Sequence, residues 1–93
     1  MRIVWTAEAL DDFENILAYY YERTWTATAE AIEKRIIARI EGLRDFPEKI
    51  RASNRIPGAR ELVIPRLPYI VFVRIVDDAI QVLNIVHTAR KFP

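Results

Sequence analysis

Two long segments of this chain carry apolar residues at helical spacing, and four short ones carry them in strand-like runs. Leu10, Phe13, Leu17 and Tyr20 recur on one side of a helix, with Ile16 widening the stripe. Asp11, Asp12 and Glu14 fall off it. Thr6 stands where an N-cap belongs and Glu8 in the first turn, where a negative charge suits the helix dipole. A helix to about Arg23 is therefore predicted. "TWTATA" then breaks the pattern, and Thr26 or Thr28 is the expected cap of a second helix. Ile32, Ile36, Ile40 and Leu43 place one apolar face on it. Glu30 and Lys34 form a favourable i, i+4 pair, and Pro47, directly after Phe46, is expected to stop the helix.

The strand-like segments differ in kind. "RIVW" (Arg2 to Trp5), "ELVI" (Glu61 to Ile64), "YIVFVRI" (Tyr69 to Ile75) and "AIQVLNIVH" (Ala79 to His87) are rich in β-branched and aromatic residues. Pro65 and Pro68 punctuate one turn and Asp77-Asp78 another. Residues 48–59 have no period; they hold Lys49, Arg51, Arg55 and a Pro57-Gly58 turn signal. The order is β-α-α-β-β-β, a helical hairpin on a mostly antiparallel four-stranded sheet, an α+β architecture expected to form one domain over residues 1–93. Strict alternation along the last strand puts Gln81, Leu83, Ile85 and His87 on one face, and Ile80, Val82, Asn84 and Val86 on the other. Both faces are largely apolar. One is expected to pack on the helices, and the other to need a second cover, such as a partner protein.

Composition narrows the chemistry. The chain has 93 residues with no cysteine and one histidine, so thiolate metal sites and disulfides are absent and no metal or other cofactor is expected. The start, "MRIVWTAEAL", lacks the apolar run of a secretion signal, and no stretch nears the ~20 apolar residues of a membrane span, so a cytoplasmic location is expected. Residues 1–47 carry six basic and nine acidic groups, while residues 48–93 carry eight basic and four acidic. Eleven of the fourteen cations are arginines, whose planar forks grip carboxylate or phosphate, so the second half suits an anionic partner.

Neighbouring helical residues such as Asp11 and Asp12 point about 100° apart and read as a solvated face. There is no nucleophile elbow, and two glycines are too few for a phosphate loop. Arg60, Glu61, Arg74, His87 and Arg90 remain, in or beside the sheet. Arg74 shares a face with Ile70 and Phe72 and needs a partner there, either Glu61 or a bound phosphate. His87 is open to two readings: an acid or base near a phosphate, or packing with a backbone hydrogen bond. In Tyr19-Tyr20-Tyr21, Tyr20 belongs to the core stripe, and its neighbours read as helix flank or protein interface rather than a platform for RNA bases.

"PGARELVIPRLPYIVFVRIVDDAIQVLNIVHTARKFP" resembles the C-terminal half of ParE-type toxins of the RelE/ParE toxin–antitoxin superfamily. "IVWTAEALDDFENILAYY" and "IEGLRDFPE" resemble the same family's first strand and helix and its second-helix ending. The resemblance spans essentially the whole chain. It implies the compact β-α-α-β-β-β toxin fold and a cognate antitoxin that lays a helix and an extended segment over the toxin. ParE-type toxins poison DNA gyrase, while RelE-type relatives cut mRNA on the ribosome. For a RelE-like ribonuclease the matching residues would be Arg60, Arg74, His87 and Arg90; no tyrosine follows His87 and no lysine lies on the strands, which favours gyrase inhibition without hydrolytic residues. Arg51, Arg55, Arg60, Glu61, Arg74, His87 and Arg90 are then candidates for contact with target or antitoxin. A homologue that binds antitoxin but has lost toxicity is the third reading. The chain departs from the family pattern at "KIRASNRIPGAREL", which lacks a glycine-arginine repeat and has Ala59 in place of the common threonine, and at its Phe92-Pro93 ending.

Overall fold

The computed structural model describes residues 1–45 and 47–89. Strand β1 (Arg2–Trp5) leads into helix α1 (Ala7–Arg23), followed by α2 (Thr26–Glu41), two 3-10 turns (Gly42–Arg44 and Pro47–Lys49), and strands β2 (Arg60–Val63), β3 (Tyr69–Val76) and β4 (Ala79–His87). The four strands form one mixed sheet in the order β1-β4-β3-β2. β1 runs parallel to β4, and the other two pairs are antiparallel. The α+β architecture read from the sequence is the one observed, and β4 has the predicted bounds.

Thr6 fixes the turn from β1 into α1. Its Oγ1 accepts from the Ala9 N–H at 3.0 Å, as an N-cap should, and donates to the Leu83 carbonyl at 2.7 Å. One hydroxyl thus starts the helix and ties it to β4. α1 packs rotated from the expected stripe. Ala9 and Ile16 are buried, Phe13, Leu17 and Tyr20 are partly so, and Leu10 is 47% exposed. Ala9, small enough to let α1 approach the sheet, takes the place assigned to Leu10.

α2 begins at Thr26, so neither Thr26 nor Thr28 caps it; Trp25 is the N-cap residue and makes no side-chain cap bond. Nor does the helix run to Pro47. It ends at Glu41, and Leu43 reaches the core from the following 3-10 turn. Phe46 lies outside the described residues. Ile32, Ile36 and Ile40 are buried as predicted, against Leu62, Ile64, Val71, Val73, Ile80 and Val82. Each such aliphatic side chain contributes about 1.5–3 kcal/mol by burial.

The sheet departs from strict alternation at a β-bulge. Register steps from Phe72↔Asn84 to Val73↔Val82, so Leu83 has no partner on β3. Ile80, Val82, Ile85 and His87 consequently share the helix side with Tyr69, Val71 and Val73, whereas Gln81, Asn84 and Val86 share the outer side with Ile70, Phe72 and Arg74. The one extra residue overturns the expected grouping of Gln81 with Ile85 and His87. The outer face is not left bare for a partner either. Ile70, Phe72 and Val86 form a second buried cluster, with Ile56 from the 50–59 loop and Leu83 packed against it.

Candidate functional site

The expected site residues fall into two groups on opposite faces of the sheet. On the outer face the 51–59 loop folds back along β2. The Glu61 N–H donates to the Arg51 carbonyl at 3.0 Å and the Ser53 N–H to the Ala59 carbonyl at 2.8 Å. Gly58 takes a φ of +79°, which an L side chain rarely adopts, and lets this return be tight. The return brings Arg51 and Ser53 onto Glu61. The Glu61 carboxylate is buried, receiving Arg51 Nη2 at 2.9 Å on one oxygen and the Ser53 hydroxyl at 2.7 Å on the other. Burial pushes the carboxyl up, but the Ser53 and Arg51 hydrogen bonds and the charges of Arg51 and Arg55 together hold it below its usual range. Ser53 Oγ also accepts from the Arg55 and Ile56 N–H groups, both at 3.0 Å, so one hydroxyl organises the loop.

This arrangement corrects the expected pairing of Arg74 with Glu61. The two share a face, but Arg51 has taken the carboxylate, and Arg74 donates instead to the Pro57 carbonyl at 3.3 Å. The guanidinium groups of Arg51, Arg55 and Arg74 thus lie around one loop. Arg60 projects to the helix side, where its Nη1 donates to the Ile50 carbonyl at 2.8 Å.

His87 is on the helix side too, at the far end of the sheet. Arg60 lies opposite Val73 and His87 opposite Tyr69. Four residues of β3 separate those positions, about 14 Å at the strand rise of ~3.4 Å. Arg60, Arg74 and His87 therefore do not converge on one phosphate-sized point. Arg90 lies outside the described residues.

His87 instead lines a cleft of about 380 Å³ between α1 and the end of β3 and β4. Its ring meets Tyr69 edge to face at 5.5 Å, and its Nδ1 accepts from the Ala89 N–H at 3.1 Å. Both structural elements of the bland reading, packing and a backbone hydrogen bond, are present. Across the cleft Tyr69 donates to the Tyr20 hydroxyl at 3.3 Å. Burial, then the Tyr20 contact, raises the Tyr69 phenol well above its ordinary value, so it stays protonated. Asp12, Asn15 and Tyr19 line the helical wall.

Asp12 is not part of a solvated face. Its Oδ2 accepts the Ile85 N–H at 2.9 Å. The reason is topological: β1 pairs with β4 only as far as Val82, and past that point α1 replaces it. The Thr6 hydroxyl donates to the Leu83 carbonyl and Asp12 accepts the Ile85 N–H. The signal for this was available: Asp12, Asn15, Ile16 and Tyr19 recur at i, i+3, i+4 and i+7 and so share one helix side. Among the described residues no group of His, Asp and Glu is placed to hold a metal ion, and no helix is long and apolar enough to cross a membrane.

Comparison with known proteins agrees with this geometry. The family profile described as the ParE toxin of the type II toxin–antitoxin system parDE matches residues 3–92. A Sinorhizobium fredii protein named as a toxin, Y4kP, is 34% identical over 92 residues, covering 99% of this chain and 93% of its own. A chain of the chromosomal ParDE system of P. aeruginosa superposes with a TM-score of 0.85 at 24% identity, covering 94% of this chain and 95% of that one. The isolated E. coli RelE toxin has the same fold at greater distance, with a TM-score of 0.60 and 11% identity over 97% of this chain and 86% of its own.

Proposed function

The chain belongs to the ParE toxin family of type II toxin–antitoxin systems, and from that membership we propose that it arrests growth in the cytoplasm by inhibiting DNA gyrase and is neutralised by a cognate antitoxin. The observation favouring gyrase over RNA cleavage is the dispersal of the candidate catalytic groups. Metal-free cleavage of RNA needs a base, an acid and a cation around one phosphate. Arg74 lies on the face opposite Arg60 and His87, and those two stand four β3 residues apart, at Val73 and Tyr69. Inhibition by binding needs no such convergence. Arg51 and Arg55, exposed on the 51–59 loop beside Arg74, are the residues proposed to meet the target, an acidic protein surface or gyrase-bound DNA. Glu61 supports them by fixing the loop, Arg60 and Arg90 are proposed as antitoxin or target contacts, and His87 as an antitoxin contact.

An antitoxin reading is supported by exposed apolar side chains on the helical hairpin and strand edges. Trp25 at the hairpin tip is 85% exposed, and Val4, Ile37 and Val63 are also uncovered. Of these, Trp25 carries the weight, tryptophan being among the residue types most enriched at protein contacts. A distant relative in fold, E. coli RelE, occurs in a toxin–antitoxin complex with RelB, which matches with a TM-score of 0.59. The second reading is a ribosome-dependent mRNA endonuclease using Arg60, Arg74, His87 and Arg90. Purified protein should abolish gyrase supercoiling and accumulate cleavage complexes, while mRNA stays intact during expression. Cleaved mRNA with unaffected gyrase would establish the second reading, and normal growth with soluble folded toxin would indicate a non-toxic antitoxin-binding homologue.

A further inference from the structure

The cleft between α1 and the end of β4 has the composition of a cation-binding pocket beside an open strand edge. Among the described residues that line it, the fixed charge is the Asp12 carboxylate, with no lysine or arginine. Asp12 spends Oδ2 on the Ile85 N–H, and Oδ1 is not engaged by any described residue. The Asn15 amide and the paired hydroxyls of Tyr20 and Tyr69 add neutral polar atoms, and the Tyr19 ring adds an aromatic wall. That ring already accepts a guanidinium: Arg23 Cζ stands 4.3 Å from its centroid. His87 Nδ1 is occupied by the Ala89 N–H. A carboxylate with aromatic walls favours a desolvated cation and repels an anion, and a guanidinium fits the carboxylate with two parallel bonds.

The backbone beside the pocket points to what carries the cation. β4 loses its β1 partner after Val82, and Thr6 and Asp12 satisfy only the Leu83 carbonyl and the Ile85 N–H. In an antiparallel ladder the groups facing a given side alternate, so the Ile85 carbonyl and the His87 N–H face the same way as the Ile85 N–H, toward the cleft. These are an acceptor and a donor at the spacing of an added strand.

We propose that the α1–β4 cleft docks an extended segment of a partner protein along the Ile85–His87 edge, with an arginine side chain of that segment held between Asp12 and Tyr19. This holds whichever target the toxin has. It also gives the Asp12 charge a use beyond the Ile85 bond: an asparagine oxygen would still accept that N–H, but only a carboxylate also draws a cation.

The test is a titration of isotope-labelled full-length protein, followed by amide chemical shifts, with N-acetyl-Val-Arg-Val-amide and with the same peptide carrying citrulline or glutamate in place of arginine. The arginine peptide should shift the Ile85 and His87 amides. The citrulline peptide, isosteric but uncharged, should bind about tenfold more weakly, the size of a desolvated cation contact, and the glutamate peptide should not bind. Asp12→Asn, which keeps the acceptor for Ile85, should weaken the arginine peptide by a similar factor and erase its advantage over citrulline. N-acetyl-arginine amide alone should bind more weakly than the peptide, because it lacks the strand. No shift, shifts elsewhere on the surface, equal binding of arginine and citrulline, or an unchanged Asp12→Asn would each overturn the proposal. The same spectra report whether Asp12→Asn is folded, and Tyr19→Ala supplies a second variant with no bond to β4.

Discussion

Asp12→Ala should destabilise the protein measurably more than Asp11→Ala, although the two residues are neighbours in one helix. Asp12 Oδ2 receives the Ile85 N–H at 2.9 Å, and Ile85 is buried. Removing the carboxylate leaves that donor without a partner where β1 no longer covers β4. A hydrogen bond to a charged group contributes about 1.5–3 kcal/mol, and an unsatisfied buried donor costs about 1–3. Asp12 is only half-buried, so water will recover part of this, and a loss of about 1–2 kcal/mol is expected. Alanine gains roughly 0.5 kcal/mol of helix propensity over aspartate, but it does so at both sites. The difference between the two variants therefore isolates the bond. It is read from urea unfolding, with equal slopes confirming the same two states, and corresponds to roughly 4–15 °C in Tm for a chain of this size. Asp12→Asn should recover most of the loss because its amide oxygen still accepts. Equal stabilities for Asp11→Ala and Asp12→Ala, within about 0.5 kcal/mol, would mean that the end of β4 is held by packing alone and that this bond contributes nothing.

Three further outcomes follow from the same structure. Ile36→Ala, in the core against the sheet, should cost about 2–5 kcal/mol, while Leu10→Ala, at the exposed position, should cost under ~0.5; a large loss at Leu10 would mean α1 packs on the stripe first read from the sequence. Folding holds the Glu61 carboxyl below its ordinary value, so its ionised form adds stability that is in full force above the ordinary value of ~4.3 and is lost as pH falls through the lowered folded value. Glu61→Gln should therefore be less stable than the parent at neutral pH, with the gap closing in acid, and a gap constant from pH 7 to 3 by thermal melts would contradict the buried pairing with Arg51 and Ser53. His87→Ala should leave growth inhibition intact when expressed without antitoxin, because His87 lies apart from Arg74 and Arg60; loss of toxicity with a folded protein would return it to the centre of the mechanism.

Much of the fold was legible in periodicity, and its failures have local causes. Ile32, Ile36 and Ile40 are buried on the face their spacing predicts, and β4 has the predicted bounds because no proline or glycine interrupts it and the Asp77-Asp78 turn precedes it. The bulge at Leu83 was not legible: an extra residue in a strand largely apolar on both faces leaves no mark on composition, yet it exchanges the faces of every residue on one side of it. The partner of Glu61 was hidden for another reason. Arg51 and Ser53 sit in an aperiodic loop, and only the Gly58 turn brings them back along β2. The role of Asp12 is hidden by Asp11, its neighbour in sequence, and shows only against Asn15 and Tyr19, its neighbours on the helix.

The candidate site shows the same division. Residue types pointed to arginine-rich anion contacts, and Arg51, Arg55 and Arg74 do gather around one loop. Types alone could not reveal that His87 and Arg74 occupy opposite faces, since that depends on the register of β3 against β4. The separation bears on the proposed function more than any single residue, because a metal-free ribonuclease needs its groups gathered and Arg60, Arg74 and His87 stand apart.

The most direct test of that account is purified toxin added to DNA gyrase and relaxed plasmid, with and without ATP, beside a reading of mRNA integrity in cells expressing it. Loss of supercoiling with accumulated double-strand cleavage complexes and intact mRNA is the predicted result. Unimpaired supercoiling, with mRNA cut during expression, would contradict it.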